Sequence, residues 1–257
     1  MDRVYRLAQN GETFFAVERG GELRRAKLRG DDLFGGYDLD GAVAGGLGAS
    51  KVLAPVIPRK MVCVGLNYKD HAAELGKKLP PEPLVFFKPS SCVISPGDTI
   101  RLPPGVGSVH YEAELAMVVG KRAHRVKAAR ALDYIFGITC LNDVTARDMQ
   151  NKEPQYTRCK SFDTFGPIGP LIATDFDGSP RMVEGFVNGE RRQSSSTSVL
   201  IFPVEFLVEY ITFVMTLEPG DIISTGTPPG VGPLKAGDVF TVKVEGVGEL
   251  SNPVADE

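Results

Sequence analysis

No run of apolar residues in this sequence approaches the roughly 18 that a membrane-spanning helix needs. The N-terminal residues lack the uninterrupted apolar stretch of a signal peptide, and the formal net charge of -3 gives no basic field suited to nucleic acid. The four cysteines form no CxxC pair, which argues against a zinc ribbon and against a secreted disulfide framework. These absences predict a reduced, soluble, cytoplasmic protein.

The short glycine-containing motifs also fail to match the loops that bind phosphate groups. The segment Gly46-Leu-Gly48-Ala-Ser-Lys51 lacks the spacing of a P-loop, and no GxGxxG motif follows a strand-like run and opens a helix. Isolated glycines of this kind are typical of turns. The sequence therefore does not favour nucleotide binding.

The pattern of short apolar runs predicts a β-rich α+β protein with few helices. Near the N-terminus, three strand-like segments are separated by Asn10-Gly11 and Gly20-Gly21, two pairs typical of hairpin turns. A glycine-rich stretch follows, which we interpret as a connector. We therefore predict a small N-terminal β domain with its connector over residues 1–55 and a larger domain over residues 56–257.

Within the larger domain, the apolar runs and their periodicity predict several strands and two helices. The strands are expected at 61–64, 84–87, 115–119, 135–141, 222–224 and 239–244, and the helices at about 68–75 and 203–216.

Two carboxylates lie two positions apart in a strand-like segment. Glu112 and Glu114 precede a run of apolar residues, and because strand side chains alternate between faces, both carboxylates point to the same side. Like charges on one face repel each other unless a cation lies between them. A third carboxylate, Asp143, follows another strand-like run. Oxygen ligands without cysteine or paired histidine favour Mg²⁺ or Mn²⁺, leave Ca²⁺ open and suit Zn²⁺ less well.

Each of these carboxylates has a simpler explanation when it is taken alone. Asp143 precedes a helix-compatible stretch and could be its N-cap. A Glu-x-Glu pair is common on a solvated strand face. The combination of all three, each attached to an apolar strand, is what favours a metal site.

The first predicted helix carries a histidine and a glutamate three residues apart. Asn67 suits its N-cap and Gly76 its C′ position, so His71 and Glu74 would be neighbours on one face. A carboxylate beside an imidazole orients the ring and tunes its pKa, as in general acid–base pairs. An incidental contact on a surface helix is the alternative.

Three further segments complete the candidate site. The loop over residues 76–83 contains glycine, lysine and proline and would let the preceding helix act as a lid. Lys160 would stabilise negative charge if it lies near an oxyanion and a metal, although a single lysine is usually solvated. The segment over residues 225–232 offers hydroxyls and backbone N–H groups to a carboxylate, or forms an ST-type turn.

Taken in order, these motifs resemble those of the fumarylacetoacetate hydrolase family. The matching segments are Val64-Gly-Leu-Asn-Tyr68 with His71 and Glu74, Phe87-Lys88-Pro89, His110-Tyr-Glu112-Ala-Glu114-Leu115, Asn142-Asp143-Val-Thr-Ala-Arg147-Asp148-Met-Gln150, Lys160-Ser-Phe-Asp163 and Thr225-Gly-Thr-Pro-Pro-Gly-Val-Gly232. Leu66 departs from the pattern, because many relatives carry arginine there. The first 55 or so residues contain no matching motif.

The resemblance implies a mixed β-sandwich roll with the active site at its mouth, usually in a homodimer. It also implies roles for nine residues: Glu112, Glu114 and Asp143 would bind Mg²⁺ or Mn²⁺, His71 and Glu74 would transfer protons from a lid, Lys160 would act in catalysis, and Arg147, Gln150 and Thr227 would bind substrate.

The implied function is a metal-dependent enzyme acting on small enolisable 2-oxo acids from aromatic catabolism. We expect 2-hydroxyhepta-2,4-diene-1,7-dioate isomerase or the coupled 5-carboxymethyl-2-oxo-hex-3-ene-1,7-dioate decarboxylase. Hydrolysis of C–C bonds in acylpyruvates of the fumarylpyruvate type, or decarboxylation of oxaloacetate, is the alternative. A binding protein that keeps the metal as a structural clamp is the non-enzymatic alternative, and the intact histidine, glutamate and lysine count against it.

Overall fold

The computed structural model describes all 257 residues and contains twenty β-strands and four short α-helices. The strands are β1 (Arg3–Gln9), β2 (Glu12–Arg19), β3 (Glu22–Leu28), β4 (Tyr37–Ala42), β5 (Lys51–Leu53), β6 (Met61–Gly65), β7 (Leu84–Lys88), β8 (Val93–Ile94), β9 (Ile100–Leu102), β10 (Val109–Tyr111), β11 (Ala113–Val119), β12 (Ile135–Asn142), β13 (Thr145–Ala146), β14 (Gly166–Thr174), β15 (Met182–Val187), β16 (Glu190–Ser196), β17 (Ile222–Ser224), β18 (Gly232–Pro233), β19 (Val239–Val244) and β20 (Gly248–Asp256). The helices are α1 (Lys69–Glu74), α2 (Arg147–Gln150), α3 (Thr157–Lys160) and α4 (Val204–Val214). This content confirms the β-rich α+β class.

The first three strands form the meander that their turn residues predict. Gln9 pairs with Glu12 and Arg19 pairs with Glu22, so each hairpin loop has two residues. All four loop residues, Asn10-Gly11 and Gly20-Gly21, have positive φ. That backbone suits type I′ turns, whose twist matches the twist of the flanking strands.

The meander continues into a twelve-stranded mixed sheet that runs through the molecule in the order β4-β3-β2-β1-β14-β12-β11-β17-β6-β7, with β5 and β8 paired to β1 and β14. The join is antiparallel, and Val4 pairs with Ile172. The predicted connector contains β4 and β5, which the sequence reading missed. Most side chains of β4 are exposed, so it carries no apolar alternation that would mark it as a strand. The domain boundary after residue 55 stays a prediction.

A second, five-stranded sheet with the order β16-β15-β19-β20-β9 packs against the first. Its central strand β19 lies against β11 and β12, and the Phe240 ring stacks on Tyr111 with 4.4 Å between ring centroids. A small third sheet, β13-β10-β18, lies where β11 begins and β12 ends. The two large layers enclose one continuous core that also includes residues of β1 and β2.

Strand β11 lies at the centre of this packing. All seven of its residues are buried, because β12 and β17 flank it within the sheet and β19 covers it. A strand that is buried on both faces is expected to be almost continuously apolar. Glu114 is the one charged residue of β11 and therefore lies inside the protein.

The two helices predicted in the larger domain are confirmed as α1 and α4. Gly76 follows α1 with φ +62, as its C′ position requires. The role predicted for Asn67 is wrong, because Tyr68 takes the cap position without a side-chain bond. The buried Asn67 amide instead bonds the backbone of Phe202 and Thr225, which fixes the chain just before α1. No helix is long and apolar enough to cross a membrane.

The close approach of β12 and β14 gives a test of the sheet. A Cβ added at Gly137 would lie 2.3 Å from the Ala173 carbonyl oxygen, so Gly137→Ala forces the two strands apart. Overpacking of this kind reduces the free energy of unfolding by about 1–3 kcal/mol. Urea denaturation measures the loss, and Gly41→Ala, which meets nothing within 4 Å, is the matched control. Equal stability of the two variants would contradict this packing.

Candidate metal centre

Strand pairing brings the three predicted carboxylates together. Ala113 of β11 pairs with Asn142 of β12, so Glu112 and Glu114 flank one member of this pair and Asp143 follows the other. The Asp143 N–H donates to the Glu112 carbonyl over 2.9 Å, and the Asn142 side chain accepts from the Glu112 N–H over 3.0 Å. One carboxylate oxygen from each of the three acids lies within 4.8 Å of the others. The structure thus brings the three carboxylates together, and their role as a metal site stays a prediction.

The three carboxylates have unequal surroundings although all are buried. For Glu112, burial alone would raise the pKa, but the Lys160 and Arg147 cations outweigh it and lower the pKa to about 2. For Glu114, burial and the nearby charges of Asp143 and Glu112 act in the same direction and raise the pKa well above its usual range. Glu114 accepts only neutral donors, the Ser224 hydroxyl and the Gly226 N–H.

Lys160 lies at the end of α3 and reaches into the cluster. Its Nζ donates to Glu112 Oε2 over 2.9 Å, to Asp143 Oδ2 over 2.5 Å and to Thr145 Oγ1 over 2.8 Å. Burial would lower the pKa of Lys160, but the two carboxylates outweigh it and raise the pKa. The side chain is therefore a buried ammonium held at the edge of the cluster.

A second buried lysine, Lys88, supports the cluster from behind and was missed as a functional residue by sequence reasoning. Its Nζ lies 2.8 Å from Asp143 Oδ1 and donates to the carbonyl oxygens of Val144 and Lys160. Lys88 therefore fixes both a carboxylate and the backbone of the other lysine. The sequence feature that could have identified Lys88 is its position at the end of an apolar strand, in Phe87-Lys88-Pro89, where a fully solvated lysine is not expected.

The residues present fit a hard divalent cation. The donors are carboxylate oxygens, which Mg²⁺ and Mn²⁺ prefer, and no thiol takes part. Asp143 Oδ1 is buried without a hydrogen bond, since its ion pair with Lys88 lacks hydrogen-bond alignment. Glu114 faces two like charges and receives no cation of its own. A divalent ion among these oxygens would compensate both features.

The histidine and glutamate of α1 form the predicted pair. His71 Nδ1 lies 2.8 Å from Glu74 Oε2, and the Gly230 N–H donates to Glu74 over 3.0 Å. His71 lines the cavity beside the carboxylate cluster, whereas Glu74 does not. Glu74 therefore orients the ring, and Nε2 is the nitrogen left to face the cavity. Asp70 of the same helix accepts a hydrogen bond from Ser195.

The three predicted substrate-binding residues all line this cavity, but each is already engaged. Arg147 donates to Glu112 and to Gln150 Oε1. The Thr227 hydroxyl donates to the Ala113 carbonyl over 2.9 Å and accepts from Gln193 Nε2 over 2.8 Å. Their binding role stays a prediction, and contact of substrate with the Thr227 hydroxyl would require exchange of one of these bonds.

The cavity at the cluster is small, about 70 Å³. Ligand cavities usually measure about 300–1,000 Å³, so this is a narrow cavity, and its rim reaches the surface at the exposed Leu75 and Lys77. A larger cavity of about 720 Å³ lies elsewhere, between the N-terminal meander and Tyr134 and Phe136. That cavity holds no comparable carboxylate cluster, so chemistry and not size identifies the candidate site.

Comparison with known proteins shows that the chain belongs to the fumarylacetoacetate hydrolase family. The family model for the fumarylacetoacetate (FAA) hydrolase C-terminal region matches residues 60–255. An uncharacterized protein of Methanocaldococcus jannaschii is 53% identical over 82% of this chain and 89% of its own length. A mitochondrial oxaloacetate tautomerase of Xenopus laevis is 41% identical over 79% of this chain and 68% of its own length.

Solved structures share the whole fold. The 2-hydroxyhepta-2,4-diene-1,7-dioate isomerase of Mycobacterium marinum is 40% identical and superposes with a TM-score of 0.90 over 100% of this chain and 99% of its own. The maleylpyruvate hydrolase of Sphingobium, solved with manganese(II) and pyruvate, is 27% identical with a TM-score of 0.80 over 99% of both chains. The predicted α+β fold of this family is therefore confirmed. The predicted homodimer stays a prediction.

The buried Lys88–Asp143 pair gives a test of how the cluster is held. Lys88→Met leaves Asp143 and two carbonyl oxygens without this partner inside the protein, which reduces the free energy of unfolding by about 3–5 kcal/mol. Chemical denaturation of the metal-free protein measures the loss. Lys127→Met, which removes an exposed ion pair with Glu209, is the control and should change stability little. Similar effects of both changes would argue against a buried charge at Lys88.

Proposed function

We propose that this protein is a divalent-metal-dependent enzyme that acts on enolisable 2-oxo acids. Most specifically, it is a 2-hydroxyhepta-2,4-diene-1,7-dioate isomerase that also catalyses the coupled decarboxylation. The buried group of Glu112, Glu114 and Asp143 beside the Lys160 ammonium carries the proposal. The group places cation ligands next to the Lys160 ammonium. The negative charge of an enolate oxygen bound there would be stabilised by both the cation and the ammonium. The similarity to the Mycobacterium marinum isomerase supports the choice of substrate.

In the isomerase reaction, the substrate loses the proton of its 2-hydroxyl group and gains a proton at C5. The C2 oxygen carries negative charge between these two events. Lys160 is placed to stabilise that charge because its pKa is raised and it stays an ammonium. His71 faces the cavity and would carry the proton, while Glu74 and the Gly230 N–H hold the ring in place. A bound Mg²⁺ or Mn²⁺ would act there as a Lewis acid toward the 2-oxo group.

A second candidate, hydrolysis of a C–C bond in acylpyruvates, is favoured by the His71–Glu74 pair. An imidazole nitrogen that faces the cavity and is oriented by a carboxylate suits the activation of water. The similarity to the Sphingobium maleylpyruvate hydrolase supports this branch. The Xenopus relative, an oxaloacetate tautomerase, supports enol–keto exchange of oxaloacetate as a third candidate reaction.

An absorbance assay tests the proposed function directly. The purified protein is mixed with 2-hydroxyhepta-2,4-diene-1,7-dioate, an acylpyruvate or oxaloacetate, each with Mg²⁺, with Mn²⁺ or with a chelator. We expect turnover that requires the cation and is fastest with the dienedioate. Absence of turnover on every substrate, or full activity in chelator, would overturn the proposal, and a binding protein would show ligand affinity without turnover.

Glu114→Gln separates the role of this carboxylate in function from its role in the fold. Burial and neighbouring charges raise the pKa of Glu114 and so favour its neutral form, which a glutamine resembles in the metal-free protein. We expect metal-dependent turnover and Mg²⁺ binding to be lost, while the free energy of unfolding without metal stays equal or rises. Calorimetric titration with Mg²⁺ and urea denaturation measure the two quantities. Glu22→Gln, an exposed glutamate on β3, is the control and should change neither.

His71→Ala distinguishes water activation from enolate stabilisation. The Lys160 ammonium remains in this variant and water can move the proton of a simple enol–keto exchange in place of His71, so that rate should fall by no more than about tenfold. Cleavage of an acylpyruvate should fall by about 10²–10⁴, the usual contribution of a general base. Both rates are measured on the same preparation, with His124→Ala as the control because His124 is exposed. Equal losses in the two reactions would count against a role of His71 in activating water.

A further inference from the structure

The wall of the cavity at the carboxylate cluster carries equal numbers of cationic and acidic side chains. Among the residues that line the cavity, the cationic ones are Lys77, Arg147 and Lys160, and the acidic ones are Glu112, Glu114 and Asp143. The acids belong to the candidate metal centre. The three cations differ in whether they are available to a substrate.

Two of the three cations are committed to the cluster. Lys160 is bonded to Glu112 and Asp143, and Arg147 is bonded to Glu112 and Gln150. Lys77 forms no ion pair with any carboxylate of the protein. It is the cationic side chain of the cavity wall that is free to bind an anion.

The backbone at Lys77 is fixed relative to α1, the helix that carries His71. Its backbone N–H donates to the Ala72 carbonyl over 2.9 Å, just after α1 ends, and Gly76 turns the chain there with φ +62. His71 of α1 and Leu75, just after the helix, line the same cavity. The exposed Lys77 side chain therefore lies at the rim of the cavity, close along the chain to His71.

Charge balance favours an occupant with two negative charges. The formal charges of the lining side chains cancel, so a divalent cation would leave the lining with an excess of two positive charges, and the exposed Lys77 is the cation that no carboxylate of the protein contacts. A 2-oxo monocarboxylate would neutralise one of them, whereas a 2-oxo dicarboxylate would neutralise both. An ammonium with no partner in the protein is a suitable counter-ion for the second carboxylate.

From this geometry we propose that Lys77 binds the distal carboxylate of the substrate and that the enzyme selects 2-oxo dicarboxylates over monocarboxylates. The inference rests on the proposed function, whose dienedioate substrate already has a second carboxylate, and adds to it the residue that recognises that group. Lys77 follows α1 by three residues, so a carboxylate bound there would lie beside the segment that leads directly from the helix of His71.

Matched ligands test the proposal in the full-length protein with Mg²⁺. The pairs oxaloacetate and 2-oxobutanoate, 2-oxoglutarate and 2-oxopentanoate, and 2-oxoadipate and 2-oxohexanoate differ only in the distal carboxylate. We expect the wild type to bind the better dicarboxylate at least tenfold more tightly than its monocarboxylate partner, by calorimetry or by ligand-induced shift in Tm. Lys77→Met should reduce the preference for the dicarboxylate by about tenfold, and its affinity for the monocarboxylate should stay within about twofold of the wild-type affinity.

Lys78→Met is the matched control, because Lys78 is the next residue of the same loop but does not line the cavity. It should preserve the preference. The proposal is overturned if the wild type binds both members of each pair equally, if Lys77→Met weakens both equally, or if Lys78→Met has the same effect. If neither ligand class binds in Mg²⁺, the proposed function fails together with the inference, whereas binding without discrimination refutes the inference alone.

Discussion

A carboxylate on a strand that is buried on both faces is the constraint on which this site depends. Glu114 lies within the fully buried strand β11, next to two further buried acids. An ionised group without a counter-ion is strongly destabilised in such surroundings. Lys160, Lys88 and Arg147 compensate Glu112 and Asp143, but Glu114 receives only neutral donors. The fold thus maintains a position where a cation is favoured, and the candidate chemistry follows from that position.

The support of this cluster comes from distant parts of the chain. Lys88 at the end of β7 holds Asp143, and Gln193 on β16 bonds both the Ala113 N–H and the Thr227 hydroxyl. These side chains are buried and connect both large sheets to β11. A closed hydrogen-bond network of this kind restricts the carboxylates to one arrangement, so the geometry is formed before a ligand arrives.

Local patterns in the sequence predicted a large part of this architecture, because the features concerned depend on near neighbours. The alternation of Glu112 and Glu114 and the Asn10-Gly11 turn are examples. By contrast, β15 and β16 were overlooked although Asn188-Gly189, with positive φ at both residues, joins them. The role of Lys88 could not be derived, because its partner Asp143 lies 55 positions away and is brought close only by sheet formation. The commitment of Arg147 to Glu112 depends on tertiary contacts in the same way.

Helix α1, which carries the proposed proton-transfer residue, is held in place by a small number of contacts. With six residues, α1 is too short to be stable on its own, so its position depends on the groups that hold it. Glu74 and Asp70 anchor it through single hydrogen bonds to Gly230 and Ser195, and buried Ala72 adds a modest apolar contact. Such an attachment can be broken at moderate cost, as the proposed role of α1 as a lid requires. In the proposed complex, a substrate that bridges the cluster and Lys77 would add a contact beside this helix and would help to hold His71 at the reacting atoms.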